Sequence, residues 1–173
     1  MCGKSIYPSQ RAKLAAPPGK DVVYTWPRFV TSGGGGLESC FRLFVVDVHD
    51  TASPQLAGGP AVRCLQPSLT PHFEGLDMVA NAAHAYLASS ADGLWGVNVT
   101  DPGAPYGDTQ LTGGYHKIDW LGDQLVAVRW DVIDLSVVVD VIDVTFPPAP
   151  NVVTSLAMPP EDVASEAMSV RAV

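Results

Sequence analysis

The chain predicts an all-β protein built from antiparallel, β-propeller-like repeats, about three blades plus the start of another in an incomplete ring. A β-sandwich is the competing architecture. Three observations carry this. Gly and Pro occupy 16 and 15 of the 173 positions, spread too evenly for long helices. β-Branched residues crowd into short runs: residues 123–146 hold eight Val and two Ile, whose stiff χ1 suits a pleated sheet. Finally, three strand-like runs end in a polar, proline-bearing turn, and self-similarity at a spacing of roughly 40 to 50 residues is the signature of a four-stranded blade.

Taken in chain order, residues 1–20 read as a basic tail outside the fold. Their four charges are Lys4, Arg11, Lys13 and Lys20, and Pro17-Pro18-Gly19 has the character of a linker. Residues 21–173 form a single β-repeat domain with approximate units 21–74, 75–114, 115–166 and the start of a further one at 167–173. The shared module is a strand closing on Val48, Val99 or Val144, each preceded by a polar residue (Asp47, Asn98, Asp143) and followed by a turn containing Asp or Thr and then Pro. An upstream strand pairs with it as a hairpin: Arg28–Thr31, Ala85–Ala88 and Gln124–Ala127. The first hairpin is connected by Ser32 to Ser39 with its four glycines, the second by Ser89 to Gly93, and the third is lengthened by a Gly-free link near Trp130 to Leu135. A third strand precedes these, at Leu76–Ala80 and His116–Trp120. The segment 167–172 aligns with the latter and reads as an opening strand rather than a short helix.

Composition bounds the partners. The chain is 47% hydrophobic and 16% charged, with a mean hydropathy of +0.16, so it has the makings of a core. No apolar run reaches the ~20 residues of a membrane span. All 18 acidic groups lie beyond residue 20 with only 6 basic ones, a net of −12; this disfavours nucleic acid and anionic membranes, whose phosphates need clustered Lys and Arg. No secretory h-region is visible in the first twenty residues. Cys2, Cys40 and Cys64 have no metal-ligand spacing. Cys40 and Cys64 read as buried free thiols, with a bridge between neighbouring strands as the alternative in an oxidising compartment.

The stretch Tyr86-Leu87-Ala88, Asp92-Gly93-Leu94, Val97-Asn98-Val99-Thr100 and Asp101-Pro102-Gly103-Ala104-Pro105 resembles the LVIVD repeat of β-propeller-like proteins. Residues 76–105 match best, 125–150 are similar with an insertion near Trp130, and the first unit departs further. The resemblance implies a propeller-like fold and a cell-surface or extracellular setting. It marks a structural repeat, not a catalytic site. About three units fall short of the ~4 blades needed to close a ring, so the array is expected to be part of a longer chain, to be completed by a homo-oligomer, or to fold as a smaller sandwich.

Candidate chemistry is sparse. Asp47 and His49, two apart on one strand face, with Asp50 adjacent, are the metal-ligand candidates, for weak divalent cation binding at most. The equivalence of Asp47 with Asn98 and Asp143 favours a turn device instead. The scattered acids Asp92, Asp101, Asp108, Asp131 and Asp134 lack the order of a calcium loop. Gly33 to Gly36 is followed by no Lys-Ser/Thr and reads as a hairpin loop rather than a phosphate nest. His72, His84 and His116 come without a nucleophile elbow or zinc-helix motif, and the four glutamates (Glu38, Glu74, Glu161, Glu166) define no acid pair. Tyr86, Trp95 and Trp120 read as core aromatics, while Trp130, at the insertion, is the binding candidate. No catalytic residue or cofactor is predicted. The expected role is a non-enzymatic binding or scaffold module contacting a protein or small ligand through loops, against a hydrolase with a loop-borne Asp/His site.

Overall fold

A computed structural model describes residues 13–17, 19, 21–26, 28–33, 36–58, 61–65, 76–90, 93–131 and 136–158. These residues contain strands and no helix, so the all-β expectation holds, and the strands form several antiparallel sheets, none of them closed on itself. The expected opening strand at 167–172 lies outside the described residues. The chain divides into two compact units, one of residues 1–71, 80–85 and 97–107, the other of 72–79, 86–96 and 108–173.

In the first unit the strands are β1 (Lys13–Ala15), β2 (Val22–Trp26), β3 (Arg28–Gly33), β4 (Gly36–Asp47), β5 (Gln55–Leu56) and β6 (Ala61–Leu65). The long β4 organises them. β2 pairs with its C-terminal part, Val22 to Asp47 through Thr25 to Phe44, and β3 continues in the same register, Arg28 to Phe41 through Gly33 to Gly36. On its other edge β4 takes β5 and β6. Two expectations change here. The hairpin partner of Phe44–Asp47 is Val22–Thr25, not Arg28–Thr31, because β3 and β4 stay paired out to Gly33 opposite Gly36, a register that sets Arg28–Thr31 against Phe41–Glu38. Lys13–Ala15, assigned to the tail, forms β1 on the free edge of β2, whose unpaired N–H and C=O groups offer a ladder to a short extended run.

Two four-stranded sheets follow. β7 (Leu76–Ala80), β8 (His84–Ser89), β9 (Gly93–Asn98) and β10 (Tyr106–Leu111) lie in chain order, as do β11 (Tyr115–Leu121), β12 (Gln124–Asp131), β13 (Ser136–Asp143) and β14 (Asn151–Met158). The β11–β12 turn is a two-residue loop closed by Leu121 opposite Gln124, with Gly122 at φ 64°, where an L side chain would be strained. The lengthened third hairpin is real: β12 and β13 stay paired out to Asp131 and Ser136. Gly93, at φ 90°, lets the β8–β9 turn lie against the Leu111 carbonyl, which an added Cβ would strike.

The second unit holds a core of Tyr86, Ala88, Leu94, Tyr115, Ile118, Leu125, Ala127, Ile142 and Val144. Alternation explains its membership: Leu125 and Ala127 on β12 are buried while Gln124 and Val126 are half-buried. Each buried Leu or Ile contributes roughly 1.5 to 3 kcal/mol of transfer free energy. Trp120 packs edge-on against Tyr86, ring centroids 5.7 Å apart at 78°, the preferred arrangement of two aromatic quadrupoles.

Candidate functional site

The polar residues before Val48, Val99 and Val144 make one hydrogen bond in common. Asp47 Oδ1 accepts the His49 N–H at 2.8 Å, Asn98 Oδ1 accepts that of Thr100 at 3.0 Å, and Asp143 Oδ1 accepts that of Thr145 at 2.8 Å. A β-turn follows in each case, closed by N–H to C=O bonds from Ser53 to Asp50, Ala104 to Asp101 and Ala149 to Phe146, at 3.0 to 3.1 Å. Asp50 and Asp101 tighten the first two of these by accepting from Ala52 and Gly103. These are side-chain substitutes for a backbone turn, the work for which short polar side chains are suited. In the first two the terminal Val is anchored alike, Val48 N–H to the Asp21 carbonyl and Val99 N–H to the Ala83 carbonyl, both at 2.8 Å.

The metal-ligand candidates are therefore committed separately. Asp47 and Asp50 each bind their own backbone, and His49 turns to a residue not anticipated, Asp21, with Nδ1 to Oδ2 at 3.1 Å and both side chains largely exposed. Asp21 raises the His49 pKa by this hydrogen bond first and then by its charge, with Asp47 adding to the latter. Among the described residues no three His, Cys, Asp or Glu side chains gather to hold a metal.

Asp143 carries a pH-dependent consequence. The Thr145 N–H and then its hydroxyl hold this carboxyl below the ordinary range. A group more acidic in the folded chain stabilises the fold above its unfolded pKa, and that contribution is lost as pH falls through the lowered folded value. Asp143→Asn copies Asn98 and is expected to keep the turn but lose this acid sensitivity. Melts between about pH 7 and about pH 3 should show wild type losing more stability than the variant; equal losses would mean that the Thr145 contacts do not matter in solution.

A second polar group appears on β11–β14. The Asp140 carboxylate is 1% exposed and accepts hydrogen bonds from Ser155 Oγ at 2.6 Å, Arg129 Nε at 2.8 Å and Tyr115 Oη at 3.2 Å. Ladder register explains the convergence: Asp140 lies opposite Ala127 and Ser155, and Tyr115 opposite Arg129, two residues along β12 on the same face. Burial, and after it the Asp140 charge, pushes the Tyr115 phenol up, so it stays a donor. Bonded to side chains on three other strands, Asp140 serves as a clasp across β11–β14. In sequence only the oddity of one Asp amid Val137-Val138-Val139 and Val141-Ile142 signals it.

Of the aromatics, Tyr86 and Trp95 are buried. Trp130 is 36% exposed on the outer part of the long hairpin, opposite Val137, with Arg129 and Asp131 beside it, an ion pair at 3.7 Å. His72, Asp92 and Asp134 lie outside the described residues. Comparison with protein-family models, curated proteins and solved structures finds no match to this chain.

Proposed function

We propose that this chain is a non-enzymatic, propeller-like repeat module of LVIVD type, surface-associated, that presents loops to a protein or small ligand. The observation that supports it is the fate of Asp47, Asn98 and Asp143, the most chemistry-like recurrent positions, all used to close turns. Two sheets of four antiparallel strands in chain order are also what blades of such a module need. A body of net charge −12 suits a basic or cationic partner, and Trp130, 36% exposed on the β12–β13 hairpin, is the candidate contact.

The alternative, a metal-assisted hydrolase, draws on the exposed Asp21–His49 pair. Thermal melts with and without calcium, magnesium, manganese or zinc separate the two. An ion at a hundred times its Kd adds about 2.7 kcal/mol, a shift easily seen. The scaffold reading expects no such rise, whereas a rise abolished by Asp47→Ala or His49→Ala would overturn it in favour of the enzyme.

A further inference from the structure

We infer that Cys40 and Cys64 form a disulfide that fastens β6 to β4. The inference rests on register and is independent of the functional reading above. In the β4–β6 ladder Ser39 pairs with Leu65, Cys40 with Cys64, Phe41 with Arg63, Arg42 with Val62 and Leu43 with Ala61. The cysteines are thus directly opposed, with regular pairing on both sides and no bulge between.

Opposed positions of an antiparallel ladder share a sheet face, with Cα atoms about 5.5 Å apart in a hydrogen-bonded pair and about 4.5 Å apart otherwise. Disulfides span Cα separations of about 4.4 to 6.8 Å, a range that holds both kinds of pair, and opposed Cβ atoms approach the separation the bond needs most closely in the non-hydrogen-bonded kind. A slip of one residue would place the two cysteines on opposite faces; the bridge therefore reads out this register and no other. It also has a mechanical purpose. Among the described residues β6 pairs with β4 alone, so the bridge secures an edge strand covalently and closes the chain from 40 to 64.

The oxidant is a small-molecule disulfide such as oxidised glutathione. One cysteine thiolate attacks its sulfur and expels one glutathione thiolate. The second cysteine thiolate then attacks the mixed disulfide, forming the Cys40–Cys64 bond and releasing the second glutathione. Two protein thiols are oxidised, one glutathione disulfide is reduced, and the two protons pass to the released thiols.

The test uses the folded full chain, incubated with oxidised glutathione, alkylated with iodoacetamide, digested with trypsin without reduction and analysed by mass spectrometry. The expected product is peptide 29–42 joined to peptide 64–117, with Cys2 carrying the only alkyl group. Alkylation of both Cys40 and Cys64, or a bond from either to Cys2, would overturn the assignment. The oxidised protein should also melt roughly 5 to 10 °C above the reduced one, a difference that Cys40→Ser with Cys64→Ser removes. Because the peptide readout needs no variant, failure of the double variant to fold leaves the test intact.

Discussion

Replacing Asp140 with Ala is expected to cost about 3 kcal/mol of unfolding free energy, measured by urea denaturation followed through tryptophan fluorescence. The carboxylate is 1% exposed, and its removal strands its partners unequally. The Tyr115 hydroxyl, on a residue buried to 2%, loses its acceptor where water does not replace it, a desolvation penalty of about 1 to 3 kcal/mol. Arg129 fares better. Its side chain is 30% exposed and keeps Asp131 at 3.7 Å, so the loss stays below that of a fully buried cation. Ser155 is exposed and turns to solvent at little cost.

The same logic orders the companion variants. Tyr115→Phe removes one donor and leaves Asp140 with Arg129 and Ser155, so its cost should be about 1 kcal/mol. Replacing Asp140 and Tyr115 together should cost less than the two separate losses added, because the hydroxyl penalty is then counted once. An Asp140→Ala loss under about 1 kcal/mol would show that the clasp does not hold β11–β14 together in solution.

Such a clasp could not have been read from sequence, whereas the strand-end turns could, and the difference is one of range. Asp47, Asn98 and Asp143 bond two residues ahead, so local chemistry and repetition disclose their role. Asp140 meets Tyr115, 25 residues away, and Arg129, 11 away, a convergence that exists only once three ladders have chosen their registers. The first hairpin failed for the same reason: Arg28–Thr31 and Val22–Trp26 are both plausible strands by composition, and only the position of the turn decides which meets Phe44–Asp47. β10 and β14 leave no clear mark in the sequence because their exposed positions carry little hydrophobic alternation; β14 is exposed at all but two of its eight residues. Cys40 and Cys64 were legible as neighbours, but their exact opposition required the ladder.

Val99→Asp is expected to be the most damaging single change at a turn, abolishing cooperative folding of the β7–β10 sheet. Val99 is 1% exposed and its N–H is bonded to the Ala83 carbonyl at 2.8 Å, so the backbone cannot swing away to deliver a carboxylate to water without giving up that bond. A charge left there without a partner costs more than about 4 kcal/mol, a large part of the roughly 5 to 15 kcal/mol that holds a domain folded. Val99→Ala separates charge from shape: losing the buried methyl groups alone should cost about 2 kcal/mol. Pro102→Ala, three residues on in the same turn, chiefly frees the unfolded chain and should cost less than about 1 kcal/mol. Melting temperatures should therefore fall in the order Pro102→Ala, Val99→Ala, Val99→Asp, with no folded baseline for the last. A Val99→Asp melt matching wild type would mean that this side chain is not enclosed.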